Sequence, residues 1–402
     1  MAVTINASTT AGLVQTADTS GVLALQTAGT TAVSISASQV VTLTNALAEA
    51  SGGTGTTVGY NGFKNRIINP AMVIDQRNAG ASVTPADQQY TLDRWVYIAD
   101  QASKCTIEQT ISGVSAPAGF SDYLGVTSTA ATTITTSQVF GVVQRIEGYN
   151  MADFAWGTAS AATVTLSFWV RSSLTGTFGG SLRNNDGNYN YPFSYTISSA
   201  NTWEQKSVTI TGATSGTWLT TNGRAMQVVF GLGVGATVSG TAGAWSTSNF
   251  WSSTGATQVL ATNGATFYIT GVQLEKGSTA TSFDYRPYGT ELSLCQRYYF
   301  RIIPASGNFA SYGSGVAESS TSAQAVLKYP VTMRASPTIS QSSTRAYNGN
   351  GSGYAVTGLG VVYTTFDTAA VTLQTSSLTI AQGVMWVAAG TTSSYVDASA
   401  EL

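Results

Sequence analysis

The chain contains no histidine and only two cysteines, so any catalysis would fall to carboxylates. Without imidazole there is no Ser-His-Asp triad, no histidine metal site and no side chain that ordinarily titrates near neutrality. A pair of carboxylates is enough for glycoside hydrolysis. Asp75, Asp87, Asp93, Asp100, Glu108, Asp122, Glu147, Asp153, Asp186, Glu204, Glu275 and Asp284 are scattered through the middle of the chain. None falls in a recognisable catalytic motif. They read as turn formers and surface charges, and the chain is expected not to be an enzyme.

Binding chemistry is better supplied. Sugars are held by aromatic rings against their C–H faces and by Asn, Asp and Gln at their hydroxyls. The run Arg183-Asn184-Asn185-Asp186-Gly187-Asn188-Tyr189-Asn190-Tyr191 offers both kinds in one loop. Asn185, Asp186, Asn188, Tyr189 and Tyr191 are its candidate ligand contacts, and Trp169 adds an aromatic on the outward side of its strand. The plainer reading is a polar hairpin tip and a Trp covered by a loop or another subunit. Tyr347 to Tyr354, rich in Gly and Asn, is a similar loop nearer the end of the chain.

Metal and cofactor signals are weak. Asp75, Glu275 and Asp284 could offer oxygens to Ca²⁺, but no EF-hand spacing is present, so a metal-free domain without cofactor is expected. The glycines of residues 51–59 lack the strand–turn–helix setting and the lysine of a phosphate cradle, and read as a flexible joint. Cys105 and Cys295 are expected to be buried free thiols.

Charged residues make up 9% of the 402 and hydrophobic ones 43%. Solubility therefore rests on Ser, Thr, Asn, Gln and Gly, a composition that suits strands and turns. A net charge of −2 lacks the basic footprint of a nucleic-acid binder. Runs such as Val384 to Ala389 are far too short to cross a bilayer, so no membrane insertion is expected. Met1 to Ala11 has no signal-peptide pattern.

The elements that would position these residues are strands. Val164, Leu166, Phe168 and Val170 alternate with Thr165, Ser167, Trp169 and Arg171. Trp95 and Tyr97 alternate with Val96 and Ile98, and Met226, Val228 and Phe230 repeat the pattern. Asp186-Gly187 signals a hairpin. In Thr266 to Glu275 the alternation slips at Gly271, the mark of a β-bulge. Tyr149 to Trp156 is expected to form one short helix or turn. Residues 60–290 thus read as a jelly-roll or β-sandwich domain. Residues 291–402 read as a second β-sandwich, with strands over 297–303, 323–329, 361–366, 371–374 and 384–388. Between its prolines, Tyr329 to Pro337 predicts an edge strand. Residues 1–59 carry short alternating runs, among them Val22 to Leu25, Val33 to Ser36 and Val40 to Leu43. Gly12 to Thr16 looks like a further, imperfect copy. This segment is too thin to bury a core alone, so it reads as an oligomeric β stem. The fold class is all-β.

Several of these stretches resemble bacteriophage fibre and tail-fibre proteins with carbohydrate-binding-module-like jelly rolls. Asn65 to Met72, Leu92-Asp93-Arg94-Trp95, Ser167 to Arg171, Thr202-Trp203-Glu204 and Gly271 to Glu275 are similar to motifs of those modules. The seam Phe283 to Arg301 and Tyr329 to Pro337 are similar to the segments that join them to the next. The resemblance covers residues 60–340. It implies a structural virion fibre, homotrimeric, anchored through residues 1–59 to a tail, baseplate or capsid protein, and recognising a host-surface polysaccharide. It carries no dependable set of ligand residues. Alternatives are a head fibre or decoration protein, or an extracellular carbohydrate-binding module or depolymerase.

Overall fold

Regular alternation makes strands when one face can be buried, and the described residues are nearly all in strands and the turns that join them. A computed structural model describes residues 23–27, 30–36, 38, 41–43, 63–304, 309–391 and 393–402. The Gly12 to Thr16 copy and the joint at 51–59 lie outside the described residues. The chain divides into two compact units, Met1–Gly62 and Phe63–Leu402.

In the first unit, β1 (Leu23–Thr27), β2 (Thr30–Ile35) and β3 (Val41–Leu43) form an antiparallel meander. Leu25 and Val41 are exposed.

Beside two smaller clusters, one of them Ile68, Ile74, Cys295 and Tyr298, the second unit holds two large hydrophobic cores. The first is a sandwich built from β4 (Trp95–Ala99), β5 (Cys105–Gln109), β6 (Leu124–Ser128), β7 (Val139–Glu147), β8 (Val164–Ser172), β9 (Gly176–Asn184), β10 (Asn190–Ile197), β11 (Glu204–Ile210) and β12 (Arg224–Val234). The short pair β13 (Ser239–Gly240) and β14 (Ser252–Ser253) precedes its last strand, β15 (Thr266–Lys276). One sheet runs β10-β9-β12-β7-β4 and the other β11-β8-β15-β6-β5. Their inner faces meet as the parity predicts for Val164, Leu166, Phe168, Val170, Met226, Val228 and Phe230, and Trp95 and Tyr97 join the same core. Val96 and Ile98 turn outward, yet they too are covered, in a smaller cluster with Val139, Val143 and Val229.

The bulge falls where the sequence places it. The register of β15 against β8 shifts between Thr270 and Gln273, and Gly271 has φ +60°. A Cβ there would sit 2.6 Å from Phe120 Cζ and 3.2 Å from Trp169 Cδ1, so only glycine lets both rings border the bulge. Two 3₁₀ turns, Gly148–Asn150 and Ala152–Phe154, fall at the Tyr149 to Trp156 stretch.

The second core is enclosed by β16 (Tyr299–Ile302), β17 (Ser311–Ala317), β18 (Ser322–Lys328), β19 (Thr338–Ser342), β20 (Thr344–Asn348), β21 (Gly353–Ala355), β22 (Gly358–Thr364), β23 (Thr368–Gln374), β24 (Gly383–Ala388) and β25 (Tyr395–Ser399). One sheet runs β16-β25-β19 and the other β21-β20-β24-β17-β18-β23-β22. Trp386, Leu327, Val371 and Leu373 fill the centre.

One local expectation is corrected. Tyr329 to Pro337 is irregular, not an edge strand: its amides bond singly to separate partners, Tyr329 to Asp367 O, Met333 to Phe366 O and Arg334 to Arg297 O. Residues just before β16 form α1 (Tyr288–Gln296), the α-helix among the described residues. It was hidden because its buried face is Glu291 and Cys295 rather than an apolar stripe. Glu291 takes the amide of Asn69 at 2.6 Å and Arg286 at 3.1 Å, an ion pair standing where a leucine would be expected.

Candidate functional site

A five-residue tip joins β9 to β10, and it carries most of the candidate residues. Asn184 holds it together. Its Nδ2 donates to Asn188 Oδ1 at 2.8 Å and its Oδ1 accepts from the Tyr189 amide at 3.1 Å. Asn185 accepts from Arg224 Nε at 2.8 Å and donates to Asp186 Oδ1 at 2.9 Å. Asp186 and Asn188 are exposed, Asn185 and Tyr189 half-buried, and Tyr191 buried.

The two tyrosines of this hairpin belong to an aromatic cluster at one end of the sandwich. Tyr189 lies parallel to Trp245, with centroids 5.2 Å apart and planes 9° apart. Tyr191 meets the same indole edge-on at 5.2 Å. Trp156 and Trp218 close the cluster, at 5.4 and 5.8 Å from Trp245. Each indole N–H is spent on a backbone carbonyl: Trp245 on Thr211, Trp156 on Ala162, Trp218 on Ser215. Burial pushes the Tyr191 phenol up. The cluster therefore presents the partly exposed Tyr189–Trp245 pair beside a rim of Asn188 and Asp186. Sequence reasoning missed the three tryptophans because they come from separate segments with no local motif.

Arg183, at the end of β9, is buried over the Trp251 ring, its Cζ 3.4 Å from the centroid. It donates to Asn249 Oδ1 and has no carboxylate partner among the described residues. Burial, and then Arg224, draw its pKa down to about 9.

Trp169 is not part of this group. It lies on β8, in the other sheet, half-buried beside Phe120 at the Gly271 bulge. Tyr347, half-buried on β20, lies against Gly353 and meets Phe309 edge-on at 5.8 Å.

Asp75, Glu275 and Asp284, the carboxylates that could serve Ca²⁺, each hold separate partners. Asp75 caps a turn through the amides of Asn78 and Gly80 at 2.9 and 2.8 Å. Glu275 takes the amide and hydroxyl of Thr281 at 2.9 and 2.6 Å. Asp284 takes the Asn65 amide at 3.2 Å. Among the described residues no three or more Cys, Asp or Glu side chains gather as a metal cluster. Cys105 and Cys295 are buried and unpaired, and burial raises both thiols, Cys105 to about 11.

A set of charged residues joins the two cores. Arg94, buried, pairs with Glu401 and stacks 3.6 Å over the Tyr298 ring. Arg77 pairs with Glu401 at 3.0 Å and lies 3.5 Å over Tyr299. Arg297 and Tyr298 both bond Glu147 of β7. Arg334 Nη1 donates to Asn222 O at 2.8 Å and its Nε to Ala400 O at 2.7 Å.

No protein-family model matches the chain. No curated protein matches it either. Among solved structures it is similar to the enzymatically active domain of a tailspike protein of bacteriophage CBA120, at 13% identity and TM-score 0.30, over 53% of this chain and 22% of that one. It is also similar to a family 4 carbohydrate-binding module, at 16% identity and TM-score 0.29, over 52% of this chain and 99% of that one. A family 11 carbohydrate-binding module from Clostridium thermocellum, solved with a mixed-linked tetrasaccharide, matches at 11% identity and TM-score 0.25, over 50% and 98%. At such identities and scores the likeness assigns no ligand to this chain.

Proposed function

We propose that the chain is the subunit of a bacteriophage fibre that presents β modules to a host-surface polysaccharide. In this reading it is a homotrimer anchored through residues 1–59 to a tail, baseplate or capsid protein, and it binds rather than cleaves. The observation that carries the reading is a convergence. The fibre-like motifs are far apart in sequence, yet Arg94, Arg297, Tyr298 and Arg334 all reach the joint between the two cores. A buried, cross-bonded joint fixes the angle between modules, as a protruding fibre requires. The Tyr189–Trp245 pair beside Asn188 and Asp186 has the ring-plus-hydroxyl-partner chemistry of a sugar site. Exposed Leu25 and Val41 in the β1–β3 meander support association of that segment with identical copies.

Light scattering of the full chain tests the assembly. The expected mass is about three times that of the 41.6 kDa chain; a well-folded monomer overturns it. Incubation with a bound polysaccharide should release no reducing ends, and release would favour a depolymerase.

A further inference from the structure

A second binding feature lies where the sandwich meets α1. It is a cleft of about 300 Å³ walled by Phe120, Phe283 and Tyr285, with Asp284, Arg286 and Ser121 among its polar lining. The volume is at the lower end for small-molecule pockets, so it suits a small ligand rather than a long chain.

The three rings touch one another without joining either core. Phe120 and Phe283 meet edge-on at 4.9 Å, Phe283 and Tyr285 at 4.8 Å, and Phe120 and Tyr285 lie 5.7 Å apart. Tyr285 is 60% exposed, while its hydroxyl is fixed by a 2.8 Å bond to Gly119 O. Uncovered aromatic surface of this kind commonly marks a contact site.

The polar lining is incomplete. Arg286, its side chain 2% exposed, donates to Asn65 O and Ile67 O at 2.8 and 2.9 Å and pairs with Glu291. Its buried Nε makes no hydrogen bond and lies 3.9 Å from Asp284 Oδ2. Asp284 Oδ2 takes the Asn65 amide, and Oδ1 receives no hydrogen bond among the described residues. A partly exposed carboxylate oxygen thus stands open under aromatic walls, 17% of the Asp284 side chain being exposed. The Arg286 head behind it is held in place by Asn65, Ile67 and Glu291.

We propose that this cleft binds one uncharged pyranose unit. A sugar hydroxyl donates to the partly exposed Asp284 carboxylate, while the C–H face of the ring lies on Phe120 and Phe283. Asp284 and Glu291 outnumber Arg286 by one charge, which disfavours a uronic acid or other anionic sugar. A wholly apolar ligand would leave Asp284 desolvated. The proposal extends the glycan reading above to a site separate from the Tyr189 hairpin.

The test is saturation-transfer NMR on the full chain with methyl β-D-glucopyranoside, methyl β-D-galactopyranoside and methyl α-D-mannopyranoside, against methyl β-D-glucuronide. At least one neutral glycoside should bind, and the glucuronide at least fivefold more weakly. Tyr285→Ala should weaken binding at least fivefold, Ser121→Trp should abolish it by filling the cleft, and Lys328→Ala should leave it unchanged. Tyr285 and Ser121 are exposed, so both variants should keep the parent melting temperature; if Ser121→Trp does not fold, Tyr285→Ala decides. Binding indifferent to the cleft variants, equal binding of the glucuronide, or no binding of any neutral glycoside overturns the proposal. Glycan binding that falls with Tyr189→Ala alone would overturn the cleft and leave the wider reading standing.

Discussion

The phenol of Tyr298 donates a 2.5 Å hydrogen bond to the buried carboxylate of Glu147. One residue follows α1 at the entry to the second core; the other ends β7 of the first. Arg297 joins the same carboxylate at 2.6 and 3.1 Å, and the Arg94 guanidinium lies on the opposite partner, the Tyr298 ring. Tyr298→Phe should remove one donor from a fully buried acceptor and destabilise the protein by about 1–3 kcal/mol. Urea unfolding of the full chain measures this. An unchanged midpoint would mean that the joint does not depend on this bond.

Gly271→Ala should be costly for two separable reasons. The backbone sits at φ +60°, where side chains with a Cβ are strained, and the new atom would enter Phe120 at 2.6 Å. The expected loss is about 1–3 kcal/mol. A variant as stable as the parent would show that the bulge can relax.

Acid should not weaken this protein as it does most. Burial lifts Asp93 to about 6, against the smaller opposing pull of Arg77, and burial also raises Asp75 and Glu291. A raised carboxyl holds its proton more tightly folded than unfolded. Its contribution to stability is therefore largest below about pH 4, shrinks as pH rises to about 6 and is level above that. For Asp93 the change amounts to about 3 kcal/mol. Glu204 shifts down through its bond to Lys206, but such a pair near the surface is worth little. The melting temperature at pH 5 should equal or exceed that at pH 7; a fall of several degrees on acidification would contradict this. Without imidazole, binding at the Tyr189 hairpin should also vary little between pH 5 and 8.

The sheets were legible because parity is local. Val164 to Val170 and Met226 to Phe230 announce their inner faces, and Gly271 announces its bulge, within ten residues of chain. What decides the candidate site is not local. Trp169 and the hairpin share an aromatic–polar character on paper, but β8 and β9 lie in different sheets, so the fold parts them. Trp245 reaches Tyr189 across the fold, and Phe120 reaches Phe283 from 163 positions away. Helix α1 was illegible for a related reason: the apolar stripe that would reveal it is replaced by the ion pair of Glu291 with Arg286.

The aromatic end of the sandwich separates packing from binding. Trp245→Ala removes a partly exposed ring that four others contact and should cost about 3 kcal/mol, the low end for a buried aromatic, in thermal or urea unfolding. Tyr189→Ala removes a half-buried ring from the edge and should cost clearly less. Equal losses would make Tyr189 a core residue rather than a surface one.

Glycan-array binding of the full chain, compared with Tyr189→Ala, tests the central claim most directly. The account predicts retention on a defined set of surface polysaccharides, weakened at least tenfold by the variant while its fold persists. A chain that holds no glycan, or one whose binding ignores both Tyr189 and the Phe120 cleft, would contradict it.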